Sequence, residues 1–162
     1  MRYKTMALGL FFCSLSVQAA SLDPWAEQLE QEMHAKYTVL NERVSACKAM
    51  RKSFDYAKPL NEGWFKTLDT SEQQKVIQFG FAKASQQCSA KEREAYAGSM
   101  LDYVAYTGDK EPLNEWLVLV EGDKELQQDI NSIGVEQTQK FVKQHLNTPF
   151  DALRLLKSQG LF

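Results

Sequence analysis

Apolar residues fall at Trp25, Leu29, Met33, Tyr37, Leu40, Val44 and Cys47, in steps of four and three. That spacing keeps them on one side of an α-helix and predicts a single long amphipathic helix over residues 24–53. Asp23-Pro24 supplies its start: an acid that can accept an orphan N–H, then a proline whose missing N–H does no harm. At about 1.5 Å per residue the helix would be roughly 45 Å long. Its other side carries Glu27, Glu30, Glu32, Lys36, Glu42 and Lys48, an acidic face open to water.

The period breaks over residues 55–69, "DYAKPLNEGWFKTLD", at Pro59 and Gly63. The same stretch holds Tyr56, Leu60, Trp64, Phe65 and Leu68, so it is no solvated linker and must pack on the core or on a partner. Thr70-Ser71-Glu72-Gln73 reads as a capping box that opens a second helix over 71–87, with Ile77, Phe81, Ala84 and Cys88 inward. Ser89-Ala90-Lys91-Glu92 reads as another, opening a third helix to about residue 107. Leu101 and Val104 face inward there, with Tyr96, Met100 and Tyr103 beside them, and Gly108 is the stop.

The second half is choppier. "PLNEWLVLV", residues 112–120, ends in five consecutive apolar positions; its proline start and its length favour a buried helix over a short strand. Asp123 begins a helix with Leu126 and Ile130 inward. Val135, Thr138, Phe141, Val142 and Leu146 mark the next, and Thr148-Pro149 opens a last one, with Leu153 and Leu156 inward and Gly160 at its end. Strand and hairpin signals are nearly absent. The expected fold is all-α: a compact bundle of six to seven helices, without an internal repeat.

The first residues change the setting. Arg2 and Lys4 precede the apolar run from Met6 to Val17, and Val17-Gln18-Ala19 offers a small-x-small exit. Those are the three parts of a secretory signal peptide, over residues 1–19, and the run is shorter than the roughly 20 residues of a membrane span. Phe11 and Phe12 stand where lipoprotein processing before Cys13 would need small residues, so Cys13 leaves with the signal. One helical domain over residues 20–162 remains. That is 143 residues out of 162, and losing Arg2 and Lys4 takes the formal charge from −2 to −4. An acidic chain without a basic run disfavours nucleic acid and anionic membrane as partners.

Cys47 and Cys88 are then an even pair in an exported chain, and the expectation is a structural disulfide. Closing a loop of about 40 residues stabilises a fold by roughly 4 kcal/mol on a chain-entropy basis. The bridge would staple the six or seven helices together, in a soluble protein of the bacterial periplasm.

No catalytic or cofactor motif stands out: the chain has no HExxH, no GxSxG, no glycine-rich phosphate loop and no CxxCH. His34 lies one turn after Glu30, and no third metal ligand accompanies them. The expectation is therefore no metal and no cofactor. Glu111 and Glu115, four apart beside Trp116, are the best pair for glycosidic acid–base chemistry, and a weak one. Aromatic residues dominate protein-interface hot spots, so Tyr56, Trp64 and Phe65 are candidate partner anchors, with Glu27 and Glu30 as an acidic docking face. The leading reading is a non-enzymatic periplasmic protein that binds another protein, such as an immunity or inhibitor protein or an accessory subunit. A chaperone-like holdase is the alternative and a cell-wall glycoside hydrolase the third.

Overall fold

The computed structural model describes residues 23–121 and 124–162. The signal-peptide segment 1–19, the proposed cleavage site and the Asp123 helix start all lie outside those residues. Among the described residues there are eight α-helices and no strand, and seven of the helices have seven residues or more. They are α1 (Pro24–Met50), α2 (Gly63–Thr67), α3 (Thr70–Cys88), α4 (Ala90–Thr107), α5 (Glu111–Val120), α6 (Lys124–Ile133), α7 (Val135–His145) and α8 (Ala152–Ser158). The all-α architecture expected from the periodicity is the architecture found.

Helix α1 starts as its sequence dictates, with the Asp23 side chain accepting from the Trp25 N–H at 3.0 Å. It ends in a 3-10 turn at Arg51–Ser53, which completes the expected 24–53 span. Its buried residues are Met33, Leu40 and Cys47, seven apart. Trp25, Tyr37 and Val44, expected on the inner stripe, are exposed. The reason is that α1 packs chiefly against one neighbour, α4, and a seam against one helix buries a narrower stripe than a core on several sides.

The capping boxes also differ from expectation. At α3 the box lies one residue earlier: Asp69 accepts from the Glu72 N–H at 2.8 Å, and Glu72 accepts from the Asp69 N–H at 2.9 Å. At α4 Ser89 is the N-cap residue but caps nothing; its hydroxyl donates instead to the Ser85 carbonyl. Gly108 does end α4, at φ 75°, in the left-handed region that glycine enters freely. Leu101 on α4 and Leu153 on α8 are exposed, where inward positions were expected, and Met100 and Leu155 are buried in their place.

Two separate cores result. The body core joins α2, α3, α6, α7 and α8 around Val76, Ile77, Phe141, Leu146, Phe150 and Leu155. The arm core joins α1, α4 and α5 through Met33, Leu40, Tyr96 and Met100. The Cys47–Cys88 disulfide lies between them, with Cα atoms 6.1 Å apart, where the last turns of α1 meet the end of α3. Arg43 reinforces that junction, its Nε–H donating to the Cys88 carbonyl at 2.8 Å.

Candidate functional site

Helix α5 is the part of the chain whose chemistry and burial disagree. Pro112 sits in its first turn, and the apolar run from Trp116 to Val120 ends it, yet none of its side chains is fully buried. Ten residues of helix packed on α4 can turn only one side inward, and that side is Leu113 and Trp116. Leu117, Val118 and Leu119 therefore face water at 50%, 78% and 67% exposure. The sequence reading of a buried helix here is corrected: the segment is helical, and its apolar run is largely outside.

Beside it lies a depression of about 210 Å³, lined by Met33, His34, Tyr37, Tyr96, Glu115 and Trp116 among others. Its wall is an aromatic relay. Tyr37 and Tyr96 have ring centroids 5.3 Å apart, Trp116 meets Tyr96 edge-on at 5.1 Å, and the Arg93 guanidinium stands 4.8 Å over the Trp116 ring. Burial raises the Tyr96 hydroxyl above the ordinary tyrosine range, and Tyr37 and then Glu115 add to it, so Tyr96 remains a neutral hydrogen-bond donor. An apolar floor with a carboxylate and an imidazole at the rim suits an aliphatic or aromatic anchor that carries a donor or a cation.

The residues singled out from sequence are dispersed. Glu115 and His34 meet at this depression, although nothing in their spacing pairs them. Glu111, the other half of the carboxylate pair, is exposed in the first turn of α5 and does not line the depression. Glu30 sits 3.6 Å from His34 on the outer side of α1, and Glu27 accepts from the Gln31 side chain; both are exposed.

Tyr56, Trp64 and Phe65 lie elsewhere, in the body core. Phe65 stacks on Phe141 at 4.5 Å with planes 5° apart, and Trp64 packs against the same ring at 5.9 Å. Tyr56 is buried with its hydroxyl donating to the Arg51 carbonyl and accepting from the Asp151 N–H, both at 2.8 Å. Glu62 holds His145 at 2.7 Å, closing the segment onto the end of α7. Of the two roles open to this aromatic connection, it occupies the one inside the protein.

Leu117, Val118 and Leu119 were missed as surface residues. The one signal was the run itself: five apolar residues in a row exceed what a helix on a single neighbour can hide. Among the described residues no group of three or more His, Cys, Asp or Glu is placed to hold a metal ion, and no helix is long and apolar enough to cross a membrane. Comparison with protein-family models, with curated proteins and with solved structures finds no match.

Proposed function

We propose that this is an exported, non-enzymatic protein that binds another protein through the outer side of α5 and the adjoining aromatic depression. An immunity or inhibitor protein, or an accessory subunit of a periplasmic assembly, acts in this way. The observation that carries the reading is the exposure of Leu117, Val118 and Leu119 beside a concave aromatic wall. Contiguous apolar surface at a pocket is unfavourable in water, and it is typical of surfaces that a partner covers. Glu115 in its lining and Glu30, 3.6 Å from the lining residue His34, favour a partner with an apolar anchor and basic flanks. Export is supported by the segment 1–19 and by the disulfide, a bond that persists in oxidising compartments.

The test is affinity purification of the processed protein from its native extract, with the Val118→Asp variant run in parallel. One co-eluting protein at near-equal amount, lost with Val118→Asp, is the expected result. A smear of many clients that the variant also loses would replace this reading with the holdase, to which the same exposed run lends support. No partner in either sample would overturn both. Peptidoglycan digestion that Glu115→Gln abolishes would establish the hydrolase instead.

A further inference from the structure

The end of α1, the 3-10 turn after it and the start of α8 enclose an open cleft of about 430 Å³. Four cations line it: Lys48, Arg51, Lys52 and Arg154. The first three follow one another at i, i+3 and i+4, so the closing turn of the helix sets them on one side. Arg154 comes from α8, more than a hundred residues later. Tyr56 brings the two ends together, its hydroxyl bonded to the Arg51 carbonyl on one side and to the Asp151 N–H on the other. The Arg154 guanidinium stands 4.2 Å over the Tyr56 ring.

No carboxylate lies within ion-pairing distance of any of the four cations among the described residues. Asp151 is the one acid in the lining, and its Oδ1 caps α8 by accepting from the Arg154 N–H at 3.0 Å. Arg51 has its guanidinium 4.8 Å from the Phe81 ring and its Nε buried without a hydrogen-bond partner. A partly desolvated charge left in that state is costly, and an anion in the cleft would relieve it. Cations in the last turn of α1 also complement its helix dipole. That effect accounts for Lys48, Arg51 and Lys52, and it gives no reason for Arg154 to converge on them from another helix.

We propose that this cleft binds a phosphate-bearing anion, with Lys48, Arg51, Lys52 and Arg154 as its ligands. Four positive charges against one carboxylate match a ligand carrying two or more negative charges, as phosphomonoesters and diphosphates do. Two guanidinium forks fit the paired oxygens of a phosphoryl group. The volume suits a small ligand or a headgroup. An extended polyanion fits poorly, because Glu42 and the acids of the outer side of α1 continue along the same helix.

The test is titration calorimetry of the exported, disulfide-bonded protein with sodium pyrophosphate, at constant ionic strength maintained with sodium chloride. In parallel, the protein is co-sedimented with phosphatidylglycerol vesicles, with phosphatidylcholine vesicles as the control. Saturable pyrophosphate binding, weakened about tenfold or more by Arg154→Gln and by Lys52→Gln, is the expected result. Lys66→Gln, an exposed cation on α2, should leave it unchanged. Sedimentation with phosphatidylglycerol alone, released by the same two variants, would assign the phosphate to a lipid headgroup rather than a solute. Failure of both probes, or binding indifferent to Arg154→Gln and Lys52→Gln, overturns the proposal. Lys52 is exposed, so its substitution remains informative even if Arg154→Gln does not fold.

Discussion

The body and the arm remove apolar surface from water to different extents. In the body Val76, Ile77, Phe141, Leu146, Phe150 and Leu155 are all essentially inaccessible, whereas in the arm core only Met100 is. The cause is the number of neighbours. Helix α3 packs against α1, α6, α7 and α8, so side chains on several of its sides are covered. Helix α1 has α4 as its main neighbour, and α5 adds only Leu113 and Trp116 to the seam between them. The same apolar content therefore becomes core in one region and surface in the other. The more completely buried core lies in the body, and most of the exposed large apolar side chains lie on α1, α4 and α5.

Several measurements would break or sharpen that division. Phe141→Ala removes the ring against which Phe65, Trp64 and His145 pack, and should cost about 3–5 kcal/mol, read as a fall in the urea midpoint. Because this ring is central to the body, the whole protein should lose cooperativity; an effect under 1 kcal/mol would refute a single body core. The paired change Cys47→Ala and Cys88→Ala should cost up to about 4 kcal/mol. Its signature is uneven: amides of α1 and α4 should exchange faster than those of α3 and α7. Equal loss of protection in both regions would mean that arm and body unfold as one unit.

Met100→Ala, the arm counterpart of Phe141→Ala, should cost about 2–3 kcal/mol, the low end for such truncations, since its neighbours are fewer and freer to close in. Hydrogen exchange should place that loss in the arm. Gly80→Ala tests the close approach of α3 to Val142 and Leu146. An added Cβ would stand 2.6 Å from Leu146 Cδ1 and 3.3 Å from Val142 Cγ2, so these buried side chains must shift, at a cost of about 1–3 kcal/mol by thermal unfolding.

The smallest effect belongs to the link between Asp23 and Tyr106, whose hydroxyl donates to the carboxylate at 2.7 Å. That bond, and then the Trp25 N–H, holds the Asp23 carboxyl below its ordinary value; the Tyr106 hydroxyl is raised in turn, first by the same bond. The acid's share is present above the ordinary carboxylate range and lost as pH falls through the lowered value. The phenol's share is present below the ordinary tyrosine range and lost as pH rises through the raised value. Exchange at the first turn of α1, relative to its intrinsic rate at each pH, should therefore be slowest between those limits. Tyr106→Phe should speed it there while leaving the melting temperature of the body unchanged.

Much of the architecture was legible in local pattern. The start of α1 at Asp23-Pro24 and the end of α4 at Gly108 follow from capping chemistry, and the pairing of Cys47 with Cys88 from an even cysteine count once residues 1–19 are read as a signal segment. These depend on near neighbours or on parity, which a sequence contains. The outward side of α5 was not legible, because a helix of ten residues reads the same whether it has one neighbour or four. Tyr56, Trp64 and Phe65 were open between two roles, since aromatic residues on an irregular segment suit an interface and a core equally until the packing is known.

The cleft at the end of α1 shows the same limit for charge. Lys48, Arg51 and Lys52 look like ordinary cations at a helix end, and Arg154 like an exposed residue near the other terminus. By itself the sequence determined the long helices, the start of α1 at Asp23, the stop of α4 at Gly108, the bridge and the absence of strand patterning, all set by interactions within a few positions or by composition. Only the tertiary structure decided which apolar residues stay wet and which cations converge. Both depend on how many helices surround a given side chain, and that number arises from long-range packing rather than from any stretch of the chain.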